Sequence, residues 1–180
     1  MSAEQVAFAQ YLATIRPGIT YMFRGDVADI RWVFGVQDYR SRNYEDSLRR
    51  ASDLYTKAGT RLMRVKAPRA LRASQRDAAW DIVMFGQWSS NFTGWITHMR
   101  VGVAEGDPIT RADWKQGYKE FENAVIQDRK ATDEARAAWL DDIVTEAQRL
   151  GVPWPQKWFI TLNEKLYKAS HEALGRALAD

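Results

Sequence analysis

Apolar residues recur at helical spacing along most of the chain. Leu48, Ala51, Tyr55, Ala58, Leu62 and Val65 lie three or four positions apart, which puts all six on one face of a helix. Asn43 is a candidate cap with Asp46 three residues on, and Pro68 stops the run, so the pattern predicts a helix over 43–66. The same arithmetic resumes near Arg69 and continues through Leu71, Gln75, Ala78, Ile82, Phe85, Ser89, Phe92, Ile96, Met99 and Val103. That is a helix of roughly 33 residues, about 50 Å long. A second stripe of Trp80, Met84, Trp88 and Trp95 predicts that it is apolar on more than one side and sits centrally.

Thr110 with Asp113 is a capping signature for the next helix, whose inward face reads Trp114, Tyr118, Phe121, Val125, Ala135, Trp139 and Ile143. Leu150-Gly151, with Pro153 and Pro155 beyond it, is a strong stop. A final helix is expected over 156–178 on Phe159, Leu162, Leu166, Ala169 and Ala173. At the N-terminus, 2–15 reads as helix and Pro17-Gly18 as a break or kink. The stretch 19–34 fits a helix through Ile19, Phe23, Val27, Ile30 and Phe34, but also alternates as a hairpin would. Helix is preferred because every other element is helical. The fold class read from this pattern is all-α: an antiparallel bundle of four long helices with an additional short or kinked N-terminal helical element, in one domain over 1–180.

Composition supports a packed core, with 46% hydrophobic and 27% charged residues. The absence of cysteine excludes disulfides, thiolate nucleophiles and cysteine-ligated metal. Dinuclear carboxylate bundles use Glu-x-x-His, because i and i+3 project two ligands to one side; His98 and His171 are preceded at that spacing by Trp95 and Lys168. No phosphate-cradling glycine loop and no nucleophile elbow occurs. No catalytic residue, metal site or cofactor is therefore assigned, and an enzyme is the last of the functional readings. Two short motifs, Arg24-Gly25-Asp26 and Asn91-Phe92-Thr93, are chance-level matches to an adhesion tripeptide and a glycosylation acceptor.

Residues 82–99 form 18 consecutive positions without formal charge. The length suits a membrane span, but Gln87, Ser89, Ser90, Asn91, Thr93, Thr97 and His98 would each demand a partner in lipid, so a buried helix of a protein that is not integral to the membrane is preferred. Gly86, Ser90 and Gly94 recur every four residues on this helix. They permit either close helix packing or an aromatic-walled polar cavity. The candidate lining of such a cavity, for a small apolar ligand, is Trp88, Ser90, Asn91, Gly94, Trp95 and His98. Eight tryptophans, with Trp154 and Trp158 clustered at the last helix, suit either core packing or an interface.

Charge is distributed unevenly. The formal balance is +3, but residues 1–100 hold 15 Lys/Arg against 9 Asp/Glu, whereas 101–180 hold 11 against 14. Between Arg40 and Arg76 there are 11 basic residues against three acidic ones. Periodicity leaves most of these arginines on the outer face of the 43–66 helix. Arg49, Arg50, Arg61 and Arg64 are thus candidate anion-binding residues for nucleic acid or an anionic membrane. The competing expectation is that acidic residues of the C-terminal half, including Asp133, Glu134, Asp141 and Glu146, lie alongside and neutralise the stripe, and the sequence favours this second reading.

The run Val65-Lys66-Ala67-Pro68, followed by Leu71 and Gln75, a long helix, and Gly106-Asp107-Pro108 ahead of the next one, resembles bacterial helical-bundle proteins, often extracytoplasmic, in which a helix-Pro-helix hairpin precedes a Gly-Asp turn. The resemblance covers about 65–140 and implies an architecture without an activity. The start Met1-Ser2-Ala3-Glu4 lacks a basic and then apolar leader, so the expected location is cytoplasmic if Met1 is the native start and extracytoplasmic if the chain is trimmed from a longer one. The reading taken forward is a non-enzymatic interaction module with a protein partner or a second copy of itself. Its alternatives are the small-molecule cavity around 86–98 and the basic docking surface over 40–76.

Overall fold

The computed structural model describes residues 1–35, 42–104, 111–154 and 156–179, and all the regular structure among them is helical. Five α-helices follow one another: α1 (Ala3–Gly35), α2 (Arg42–Met63), α3 (Arg72–Ala104), α4 (Arg111–Leu150) and α5 (Gln156–Ala179), with one 3-10 turn at Arg69–Leu71 leading into α3. The predicted boundaries of the last four elements hold to within a few residues. The capping signature at Thr110 and the Gly106-Asp107-Pro108 turn lie outside the described residues.

The N-terminal element differs from expectation. It is neither short nor broken: α1 runs for 33 residues with Pro17 inside it and continues through 19–34 as helix. Pro17 lacks the N–H that would bond the preceding turn, at a cost of about 3 kcal/mol in a helix interior. That cost is met by burial on both sides, because Phe8, Tyr11, Ile15, Ile19, Met22 and Phe23 all enter the core. Gly18 does not end the helix either. A Cβ there would stand 2.8 Å from Leu62 Cδ2, so the glycine sets how closely α1 approaches α2. The start of α1 is held by a reciprocal capping box, in which Gln5 N–H donates to Ser2 Oγ (3.1 Å) and Ser2 N–H to Gln5 Oε1 (2.6 Å).

Contacts between elements give the arrangement. α2 lies between α1 and α3; Gly18 of α1 meets Leu62 and Gly25 meets Tyr55, so those two helices run in opposite senses. Gly59 of α2 faces Ala79 and Val83, and Gly86 of α3 faces Thr56 and Ser52, again with opposite polarity. α4 packs along α3 and touches α1, with Trp139 Nε1 donating to Tyr11 Oη (3.2 Å) and Arg149 reaching Glu4. The end of α4 is closed by Gly151 in the left-handed region (φ 65°), with Val152 N–H on Ala147 O at 3.0 Å, the wrap that the Leu150-Gly151 signal implied. α5 packs on α1: Phe159 meets Phe23 edge to face, and Arg16 lies over the Trp158 ring. Trp154 and Trp158 are thus half-buried fasteners of α5.

The second expectation to be corrected concerns α3. Its Ala78, Ile82, Phe85 and Ser89 face is buried, but Trp80 (55% exposed) and Met84 (44%) of the other stripe point outward, as do Ser90 and Asn91. The glycines at 59 and 86 let α3 press one face tightly on α2, and α4 covers a second side. The helix is flanked on two sides and not enclosed. No described helix is long and apolar enough to cross a membrane.

Candidate functional site

Two polar assemblies stand out, one inside the bundle and one on its surface. The inner one was not legible as a site in the sequence. From α1, Asp26 (1% exposed) and Asp29 (7%) project into the core. From α4, Arg129 and Arg136 reach them: Arg129 Nη2 donates to Asp26 Oδ1 at 2.9 Å, Arg129 Nη1 to Asp29, and Arg136 Nη1 to both Asp26 oxygens at 2.9 and 2.7 Å. Asp133 accepts from both arginines on the outer side. From α2, the buried Tyr55 hydroxyl donates to Asp26 Oδ1 (2.9 Å) and accepts from Arg129.

Burial governs the titration of these groups. It pushes the Asp29 carboxyl up to about 6, against the opposing pull of Arg129 and with Asp26 adding to the rise. It also pushes the Tyr55 hydroxyl well above its ordinary range, and Asp26 and Asp29 act in the same direction. For Arg129 burial works against the charge, but Tyr55 and the surrounding carboxylates outweigh it. The described groups of the network bond one another, and the surface grooves beside α1 and α2 are lined by other residues. The arrangement ties α1, α2 and α4 together through buried ion pairs. Among the described residues no cluster of His, Asp and Glu could hold a metal ion.

A pattern did mark these arginines. Between Val125 and Trp139 the steps of four and three fall on Arg129, Thr132 and Arg136, so the α4 stripe is continuous only if two arginines face inward. Asp26 and Asp29 likewise stand at i, i+3 within the apolar run of α1. Burial of Asp26 also removes Arg24-Gly25-Asp26 from consideration as an exposed recognition tripeptide.

The outer assembly is the basic stripe. For Asp133, Glu134, Asp141 and Glu146 the expectation that they neutralise it is overturned, whereas the acidic side chains between 105 and 122 lie outside the described residues. Asp133 is bound by Arg129 and Arg136, Glu134 pairs with Lys130, and Glu146 pairs with Arg149, all within α4; Asp141 is exposed without an ion pair to a described residue. The physical reason is placement, since α4 packs on α3 and α1 and not along α2. Among the described residues, the acids that do cross between the halves are Glu4, Asp26 and Asp29 of α1, which answer α4 arginines.

The stripe is consequently left to solvent. Arg49, Arg50, Arg61 and Arg64 are all exposed, and Arg49 alone among them approaches a described carboxylate, Asp46 at 3.9 Å. The structure divides the four. Arg61 and Arg64 join Lys57 and Lys66 along a groove of about 1030 Å³ between α1 and α2, whose other wall carries Gln10, Tyr11, Thr14 and Tyr21. Among the described residues no acidic side chain lines it. Arg50 faces a separate groove toward α5.

The candidate cavity residues are placed differently. Gly86 is buried against α2, where a Cβ would come within 2.9 Å of Thr56 N and 3.1 Å of Ser52 O, and Ser52 Oγ donates to Gly86 O. Close packing is therefore what this glycine serves. Trp88 is half-buried and stacked on Phe85, while Ser90 and Asn91 face outward. The surroundings of Gly94 and the side chains of Trp95 and His98 lie outside the described residues. Compared with protein-family models, curated proteins and solved structures, the chain has no match.

Proposed function

We propose that this antiparallel helical bundle is a non-enzymatic binding module that docks a nucleic acid through the basic groove between α1 and α2. The observation that carries this reading is the groove itself. Lys57, Arg61, Arg64 and Lys66 line it with no carboxylate among them, next to hydroxyl and amide groups that can bond phosphate oxygens. The half-buried Tyr21 on the facing wall supplies an aromatic surface against which a base can stack. A concave wall suits a strand better than a flat bilayer surface does.

Fluorescence anisotropy with labelled single-stranded and duplex oligonucleotides tests this directly. Four phosphate contacts give a slope of log K against log salt of about −3 to −4. The double substitution Arg61→Glu, Arg64→Glu removes that affinity while leaving the urea midpoint nearly unchanged, because both side chains are exposed. Absence of salt-sensitive binding at low salt, or tighter binding to anionic vesicles than to either oligonucleotide, defeats the reading.

A second reading, self-association, is favoured by Trp80 and Met84, which expose apolar area one helical turn apart on α3. Sedimentation of the wild type beside Trp80→Ser, Met84→Ser decides it: a dimer dissolved by the substitutions supports this reading, and a monomeric wild type removes it.

A further inference from the structure

A second groove, of about 660 Å³, lies where α1, α2 and α5 meet, and its construction differs from that of the first. Its floor is apolar: Phe23, Val27 and Ala28 from α1, Leu54 from α2, and Leu162 and Ala169 from α5. Its rim is cationic, with Arg24, Arg31, Arg50, Lys165 and Lys168 against one acid among the described residues, Glu172. None of the five cations forms an ion pair with a described carboxylate. All five side chains are exposed, whereas Phe23, Ala28 and Ala169 are nearly buried and Val27, Leu54 and Leu162 half-buried. Three helices contribute, so the combination is a product of tertiary packing and no single helix carries it.

We infer that this groove binds a free amphipathic organic anion, a carboxylate on a saturated chain, with the chain on the Phe23–Leu54–Leu162 floor and the head group among the rim cations. Volume and chemistry agree. Small-molecule sites span about 300–1,000 Å³, with mostly apolar walls and a few polar groups that fix orientation. Five like charges held around one groove repel each other, and an anion at the rim relieves that repulsion while the chain removes floor area from water. A neutral chain of equal length gains the second contribution alone, and a short anion the first alone. The discrimination expected between them is therefore the signature of the site. This site is separate from the α1/α2 groove and does not depend on its occupancy.

Isothermal titration of the full chain with decanoate, decanol and acetate, each below its aggregation limit, tests the inference. Decanoate is expected to bind with a Kd at least tenfold below that of decanol, with acetate showing no saturable heat. Arg24→Glu with Lys165→Glu is expected to raise the decanoate Kd at least tenfold at an unchanged thermal midpoint, since neither side chain is buried. Arg61→Glu with Arg64→Glu, in the other groove, is expected to leave it unchanged. Equal binding of decanoate and decanol, no binding of decanoate, or a Kd unaffected by the rim reversal overturns the proposal. So does binding to phosphatidylglycerol vesicles without binding to free decanoate, which would assign the cations to a lipid surface.

Discussion

Gln75 ties α3 to the end of α2 and to α1 through one side-chain amide. Its Nε2 donates to Leu62 O at 2.8 Å, which also accepts from Val65 N–H at 3.2 Å, and to Val65 O at 2.9 Å, just past the end of α2. Its Oε1 accepts from the Tyr11 hydroxyl of α1, which in turn accepts from Trp139 Nε1 of α4 at 3.2 Å. Four helices are joined through one amide, and burial pushes the Tyr11 hydroxyl above its ordinary range, the Trp139 bond opposing. Gln75→Leu keeps the approximate volume and removes every bond. Each buried group left unpaired costs about 1–3 kcal/mol; Leu62 O keeps the Val65 N–H, so Val65 O and the Tyr11 hydroxyl together predict a loss of about 2–6 kcal/mol. Urea titration by circular dichroism measures it, with an unchanged m value as the check that the unfolded state is the same. Tyr11→Phe in the same background should then cost less than it does alone, since its bond to Gln75 is already gone and only that from Trp139 remains to lose. A loss below about 1 kcal/mol for Gln75→Leu would mean that Val65 O and the Tyr11 hydroxyl reach water, and the chain of bonds would not be what closes that end of the bundle.

Asp29 gives the pH prediction. With its carboxyl pushed up to about 6, the folded chain keeps a proton between roughly pH 4 and 6 that the unfolded chain has released, so its contribution to stability is present below pH 4 and lost as pH rises through 6. A shift of about two units corresponds to about 3 kcal/mol. The difference in unfolding free energy between wild type and Asp29→Asn should change by that amount between pH 4 and 7, and a flat difference would show that Arg129 holds the carboxylate ionised throughout. Close packing of α2 on α3 predicts that Gly86→Ala costs about 1–3 kcal/mol, because the new Cβ meets backbone at Thr56 N and Ser52 O. Calorimetry that finds Gly86→Ala neutral or stabilising would show that the two helices separate readily there.

The chain's own pattern determined that the protein is helical and where most helices begin and end. Spacing of three and four fixes the inward face of α2, and Leu150-Gly151 stops α4, because both depend on residues a few positions apart. Pro17-Gly18 shows where local reading fails. The proline signal is real, but burial of Ile15, Ile19 and Met22 against other helices outweighs it, and that burial involves residues distant in sequence. The same holds for charge. The sequence displayed a basic stripe and an acidic half and suggested that they meet; the tertiary structure paired the acids of α4 within α4 and sent Asp26 and Asp29 to its arginines. Arg50 and Arg61 look equivalent on one helix, yet one borders an apolar groove shared with α5 and the other a polar groove shared with α1. Periodicity states which face of a helix is polar, whereas which helix lies beside that face depends on the side-chain volumes and glycine gaps of every element at once.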